Sequence, residues 1–417
     1  MLSLSDLTTK NRAGLPLGVP CFCTGNEHVL KACLAYASKN SLPLVIEATC
    51  NQVNQEGGYT GMTPENFMAW VRDLAQTSEF DTDLLIMGGD HLGPNPWRHL
   101  PVDDAMGRAC ELVKHYVEAG FTKIHLDASM ACGGEANPSF EQIAQRAAQL
   151  CSIAETYAPE PSKLSYIIGA EVPIPGGETD EPVTLEVTSV DSFIQTINTH
   201  HSAWKQRGLE SAWSRIVGVV TQPGVDFGHT SIYPYDAHKA RDLSKAILEH
   251  PNIVFEAHST DYQTTEALAD LVKDHFMFLK VGPELTFRFR EAVFALSNIC
   301  SELADSSGND FEAFIDQTMI EHPEHWQAYY SGTEQEQKQL RKFSYSDRIR
   351  YYWAKSEVAR RLDTLINGEV LENMPEAVVS QYFMGHEFGD IPKSASRLIE
   401  SQITKCVARY YRAAGLS

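Results

Sequence analysis

Leu84-Leu85-Ile86-Met87-Gly88-Gly89-Asp90-His91-Leu92-Gly93-Pro94-Asn95 is an apolar run that ends in a carboxylate and an imidazole, then breaks at Gly and Pro. It reads as a strand buried on both faces that delivers polar groups at its carboxyl end. Seven other stretches share this grammar. The eight strand-like segments are residues 17–22, 44–49, 84–88, 123–127, 164–170, 216–221, 253–257 and 276–281. Amphipathic stretches separate most of them. Phe67, Trp70, Val71 and Leu74 fall on one helical face, and residues 105–119, 141–157, 237–248 and 265–275 behave alike. Apolar strands alternating with helices predict a parallel sheet covered by helices. Eight such units before residue 285 match the size of a (β/α)8 TIM barrel, with an open doubly wound sheet as the alternative.

After Gly282-Pro283 the strand rhythm stops, and residues 284–303, 310–330, 345–367 and 394–414 read as helices. The expected organisation is a barrel over 1–285 and a helical C-terminal region over 286–417. The long connection at 172–215 opens with Pro173-Ile174-Pro175-Gly176-Gly177, the composition of a loop able to cover a barrel mouth.

Fifty-five acidic against 34 basic residues give a net charge of −21, which argues against nonspecific nucleic-acid binding. A phosphorylated substrate would need positive groups concentrated locally against that field. The N-terminal residues show no basic and apolar leader pattern, and no run approaches the roughly 18 apolar residues of a membrane span. Nine scattered cysteines point to reduced thiols and a cytoplasmic protein. Cys21 and Cys23 have no second pair at zinc-ribbon spacing.

Barrel active sites lie at the carboxyl ends of the strands. Those positions hold Cys21, Cys23, Glu47, Asn51, Asp90, His91, His125, Asp127, Glu171, Gln222, Glu256, His258, Asp261 and Lys280. Polar groups at every strand end describe a site, although each alone could be an ordinary structural hydrogen-bonding residue. His91 and His258, with His229 and Glu171, form a candidate ligand set for a divalent metal, and imidazole with carboxylate suits zinc. Asp90, beside a ligand candidate, is the expected acid/base, with a supporting role behind the metal as its alternative. Glu47, Asp127 and Glu171 are further candidates for proton transfer or sugar hydroxyls. Lys280 suits a phosphate or carboxylate better than a Schiff base if a metal is present. The amide-rich segment from Asn51 to Gly61, with Asn51 and Gln55, suits a polyol, and Gln222 and Asp261 are candidate substrate contacts. Residues 344–351 read as a helix start able to hold an anion. Arg348 and Arg350, two apart, point to different faces; Arg348 is taken as the ligand contact.

These segments resemble one family over nearly the whole chain. Ile46-Glu47-Ala48-Thr49 with Asn51-Gln52-Val53-Asn54-Gln55, Gly88-Gly89-Asp90-His91-Leu92-Gly93-Pro94-Asn95 and Lys123-Ile124-His125-Leu126-Asp127 are similar to the GatZ/KbaZ family. So are Glu256-Ala257-His258-Ser259-Thr260-Asp261, Lys280-Val281-Gly282-Pro283 and Ser346-Asp347-Arg348-Ile349-Arg350-Tyr351. The resemblance implies a Z-type subunit of tagatose-1,6-bisphosphate aldolase, partner of a zinc-binding Y-type chain in galactitol breakdown. It also implies relatives labelled tagatose 6-phosphate kinases and others described as ketohexose-phosphate 4-epimerases. The Asp90-His91 dipeptide also resembles the Asp-His pair of class II aldolases. No G-x-x-x-x-G-K-[ST] loop occurs, which argues against a kinase. The expectation is a metal-dependent enzyme acting on a ketohexose phosphate, itself a homo-oligomer. The alternative is a noncatalytic subunit that stabilises the Y-type aldolase.

Overall fold

The computed structural model describes residues 3–173, 185–303, 310–372, 374–387 and 389–416. Eight parallel strands close into a barrel in chain order. They are β1 (Val19–Cys23), β2 (Leu44–Thr49), β3 (Leu85–Leu92), β4 (Lys123–Leu126), β5 (Ser165–Ile168), β6 (Ile216–Val220), β7 (Val254–Ala257) and β8 (Phe276–Val281). The (β/α)8 expectation holds, and the open sheet does not.

Local signals explain the surrounding helices. Asn26 caps Glu27–Asn40, Thr63 with Pro64 starts Pro64–Thr77, and Ser139 with Gln142 forms a capping box on Phe140–Tyr157. Each buries one apolar face, Phe67, Val71 and Leu74 on the second of these. The loop read as a lid lies largely at 174–184, outside the described residues.

Two C-terminal helices are shorter than expected. Residues 310–330 are helical only over Phe311–Glu321, since Pro323 disfavours helix at His322. Residues 345–367 are helical only over Ser356–Ile366. Before it, Asp347 takes a left-handed φ of 42° and Arg348–Tyr351 is a single 3-10 turn. The Asp347 carboxylate, accepting from Thr286 Oγ1 at 2.6 Å and from Arg290 Nε at 3.3 Å, holds that turn. The expected helix N-terminus for an anion at 344–351 is therefore a turn.

A boundary at 285 separates strands from later helices but does not divide the packing. The last helix, Ala395–Ala413, returns to the barrel wall and packs on Glu27–Asn40 and Thr265–Lys273. Tyr411 Oη donates to Pro43 O at 2.8 Å, and Tyr410 Oη donates to Thr260 O at 2.7 Å. Leu398, Ile403 and Val407 are buried there, each worth about 1.5–3 kcal/mol.

Candidate active site

Strand register decides which side chains meet. Neighbouring strands place Cys23, Glu47, Gly88 and Lys123 on one level of the barrel. Side chains alternate between the two faces of a strand, so residues two apart point the same way. The interior therefore receives polar groups in steps of two: Lys123, His125 and Asp127 from β4 and its end, and Glu256 and His258 from β7 and its end. Gly88 leaves the room this requires; a Cβ there would stand 2.7 Å from Glu47 Cγ.

Asp90 and His91 are adjacent and should point to opposite faces. A bulge brings both to the mouth. Between the pairs Gly89↔Ile124 and Leu92↔Leu126, β3 carries one residue more than β4. His91 absorbs it at a left-handed φ of 50°.

The floor is a network of buried charge. Lys123 Nζ lies 2.6 Å from Glu47 Oε1 and 2.5 Å from Glu256 Oε2. Lys280 Nζ pairs with Glu47 Oε2 and lies 2.9 Å from Asp90 Oδ1. Neither contact of Lys280 has hydrogen-bond geometry, and burial lowers its pKa. Above this layer stand three imidazoles, each with one ring nitrogen against its own carboxylate. His91 Nδ1 is 2.8 Å from Asp127, His125 Nδ1 2.9 Å from Asp90, and His258 Nε2 3.0 Å from Glu256. Ring centroids are 5.1, 4.8 and 5.3 Å apart for the pairs 91/125, 91/258 and 125/258.

Burial disfavours every charge here, and the partners decide the outcome. Against burial, His91 and the other imidazoles hold the Asp90 carboxyl far below the usual carboxylate range. Burial likewise opposes ionisation of Asp127 and Glu256. The His91 hydrogen bond brings the first down to about 2, and Lys123 with His258 brings the second to about 2. Asp90 and Asp127 raise His91 against its desolvation, whereas burial wins at His258 and lowers it.

A metal fits these residues. A ligating histidine commonly sets its other ring nitrogen against a carboxylate, and the His91 and His258 rings are held that way, while His125 Nδ1, beside Asp90, also accepts from the His91 backbone N–H at 3.2 Å. His125 Nε2 is buried with no hydrogen-bond partner among the described residues. Asp90, His125, Glu256 and His258 also offer atoms within 4.8 Å of one another. Four floor carboxylates against two lysines leave a negative excess that a divalent cation would offset.

Over this floor lies a cavity of about 180 Å³ whose lining includes Asn51, Asp90, His91, His258, Asp261 and Lys280. Several expected residues stand elsewhere. Glu171 is exposed beyond β5, outside the imidazole cluster. His229 reaches the cavity from a two-stranded ribbon, Asp226–Phe227 with Ile232–Tyr233, but its Nδ1 is 3.1 Å from Ser346 Oγ, at the rim. Gln55 Nε2 donates to Arg108 O on the helix Val102–Glu118, and Gln222 Oε1 accepts from Gly224 and Val225 in its own loop, so each has a structural partner away from the imidazoles. Of the arginine pair, Arg350 lines the cavity. Arg348 packs 3.2 Å from the Tyr329 ring centroid and donates to His325 O. The sequence reading counted His125 and Glu256 among the strand-end polar groups without a specific role, and passed over Lys123. The signal was there in polar residues two apart within apolar strands.

Fold and site together define a (β/α)8 barrel with a carboxylate- and imidazole-lined mouth suited to a metal. Residues 4–415 match the family model described as D-tagatose-1,6-bisphosphate aldolase subunit GatZ/KbaZ-like, and the chain belongs to that family. A crystal structure described as a "probable tagatose 6 phosphate kinase" from Sinorhizobium meliloti 1021 is 41% identical, with a TM-score of 0.86 over 95% of this chain and 100% of that one. A fructose-bisphosphate aldolase from Campylobacter jejuni, at 11% identity, shares the fold with a TM-score of 0.50 over 99% of this chain and 95% of that one. No helix among the described residues is long and apolar enough to cross a membrane.

Proposed function

We propose that this chain is a metal-dependent ketohexose-phosphate 4-epimerase that works by retro-aldol and aldol chemistry. The carrying observation is the cluster of three carboxylate-backed imidazoles beside Asp90 and Lys280 at the floor of one cavity. The substrate class follows from the family, whose description names a tagatose bisphosphate aldolase subunit.

C4 of a 2-ketohexose is β to the carbonyl, so deprotonation there gains no enolate stabilisation. Breaking C3–C4 does. Asp90, ionised at neutral pH, accepts the O4 proton; C4 leaves as an aldehyde, and the C3–C4 electron pair passes to the C2 oxygen as an enediolate. Lys280, held against Asp90, supplies positive charge beside that oxygen. The aldehyde rotates within the cavity, C3 attacks its other face, and Asp90 returns the proton to O4 with C4 inverted. His91, His125 and His258 would hold a divalent cation such as zinc, which supplies Lewis-acid polarisation of the substrate carbonyl when bound. Release of the aldehyde instead of rotation would be aldolase activity. No P-loop sequence is present, so phosphoryl transfer from ATP is not proposed. Nine free thiols support a reducing, cytoplasmic setting.

The test is to incubate the protein alone with tagatose 6-phosphate and with the 1,6-bisphosphate, with and without zinc, and to read products by NMR. The expected product is the fructose phosphate, and chelation should stop it. Elemental analysis of His91→Ala and His258→Ala should show metal loss with the fold retained. The family description favours a second reading, a noncatalytic subunit for a Y-type aldolase. That reading replaces the first if the protein alone turns over nothing while wild type and Asp90→Asn activate the aldolase equally.

A further inference from the structure

Resting on the sugar-phosphate reading above, we propose that Arg350 receives the substrate's phosphate and that the cavity is built for one such group. It would then select ketohexose monophosphates over bisphosphates. The cavity lining among the described residues holds one lysine and one arginine, Lys280 and Arg350. Lys280 is already matched by Glu47 and Asp90. Arg350 differs in kind. Its Nη1 donates to the carbonyls of Ser346 and Asp347, and its Nη2 donates to Tyr351 Oη at 2.9 Å. All three acceptors are neutral. The carboxylate of the same turn, Asp347, is engaged by Thr286 and Arg290.

A guanidinium has five N–H donors. The three bonds leave Nε–H and one Nη2–H without an acceptor among the described residues. Nε and Nη2 share one edge of the planar fork, the geometry that meets two oxygens of a phosphate. The edge is held in place before any ligand arrives, because the other donors tie the group to its own turn.

The helix start that packs against the Arg350 turn through Thr286 is closed to a second phosphate. The backbone amides of Gly282 and Glu284, at the start of helix Pro283–Leu303, would make an anion cradle. Asp261 Oδ1 already accepts from both, at 3.0 and 2.7 Å, and Glu284 adds a second carboxylate nearby. Arg98 lies in a separate groove with Ser129 and Asn137.

The experiment has two arms on the full-length protein. Inorganic phosphate is titrated calorimetrically into wild type, Arg350→Ala, Arg350→Lys and Arg98→Ala. Steady-state kinetics then compare tagatose, its 6-phosphate and its 1,6-bisphosphate. Arg350→Ala should weaken phosphate binding, and lower the kcat/KM ratio of 6-phosphate to free sugar, by about 10- to 100-fold. Arg350→Lys, which keeps the charge and loses the fork, should fall between. Arg98→Ala should match wild type, and the bisphosphate should bind no tighter than the monophosphate. Unchanged phosphate affinity and unchanged ratio in Arg350→Ala would overturn the assignment, as would a bisphosphate preference lost in Arg98→Ala. If wild type turns over no ketohexose phosphate, the catalytic reading fails on its own, and the phosphate titration still decides Arg350.

Discussion

Asp127 on the barrel floor and Asp261 at the corner between β7 and β8 are each 2% exposed, yet they titrate in opposite directions. His91 brings Asp127 down to about 2. Burial, with Glu284 adding its charge, pushes Asp261 up to about 7, although two backbone amides donate to it. Depth is the same in both places; the neighbour differs. On the floor each carboxylate has a cation or imidazole within hydrogen-bond reach. At the corner the charge that acts on Asp261 is that of another acid, Glu284. One mouth thus holds carboxylates that stay ionised and one that can carry a proton near neutral pH.

The largest expected effect tests the floor. Asp90→Asn should lower ketohexose-phosphate turnover by about 10²- to 10⁴-fold while metal content by elemental analysis is kept. A loss of only a few-fold would move proton transfer elsewhere, with Asp261 the first candidate. Next comes the ion that holds the floor together. Lys123→Met leaves Glu47 and Glu256 buried without their shared cation, and chemical denaturation at pH 7 should show a loss of about 3–5 kcal/mol. The loss should shrink at acid pH as those carboxylates take up protons. An equal loss at pH 4 and pH 7 would mean that packing, not charge, is what Lys123 supplies.

The corner should behave with the opposite sign. The folded pKa of Asp261, about 7, exceeds its unfolded value of 3.8, so the folded state holds the extra proton between them. Stability then falls as pH rises from about 4 to about 7, by up to a few kcal/mol. Asp261→Asn keeps an oxygen for the two amides and removes that fall, so its stability gain over wild type should grow from pH 4.5 to pH 8 in urea titrations. A gain independent of pH would show the carboxyl is not titrating there. The smallest effect is at Asp127, whose folded pKa lies below its unfolded one. Its contribution, on the order of 2 kcal/mol, is present above about pH 4 and lost as pH falls through about 2. Asp127→Asn should therefore flatten the acid limb of the stability profile and leave the limb above pH 5 parallel to wild type.

Much of the fold was legible because its signals are local. Apolar, β-branched-rich runs marked all eight strands, and helical spacing at Phe67, Val71 and Leu74 marked a covering helix. Asp347 was not legible as a helix breaker, because what holds its left-handed turn is a contact with Thr286 and Arg290 about 60 residues away. The return of Ala395–Ala413 to the barrel wall was hidden for the same reason.

By itself the sequence determined the barrel, the polar strand ends and the family, since strand period, breakers and motif blocks are all written along the chain. Only tertiary structure decided how those ends combine. Register put Lys123 between Glu47 and Glu256, a one-residue bulge turned both Asp90 and His91 inward, and a distant turn presented Arg350 rather than Arg348 to the cavity. Charge pairing across a closed barrel depends on distances between strands tens to hundreds of residues apart, and no local pattern encodes those.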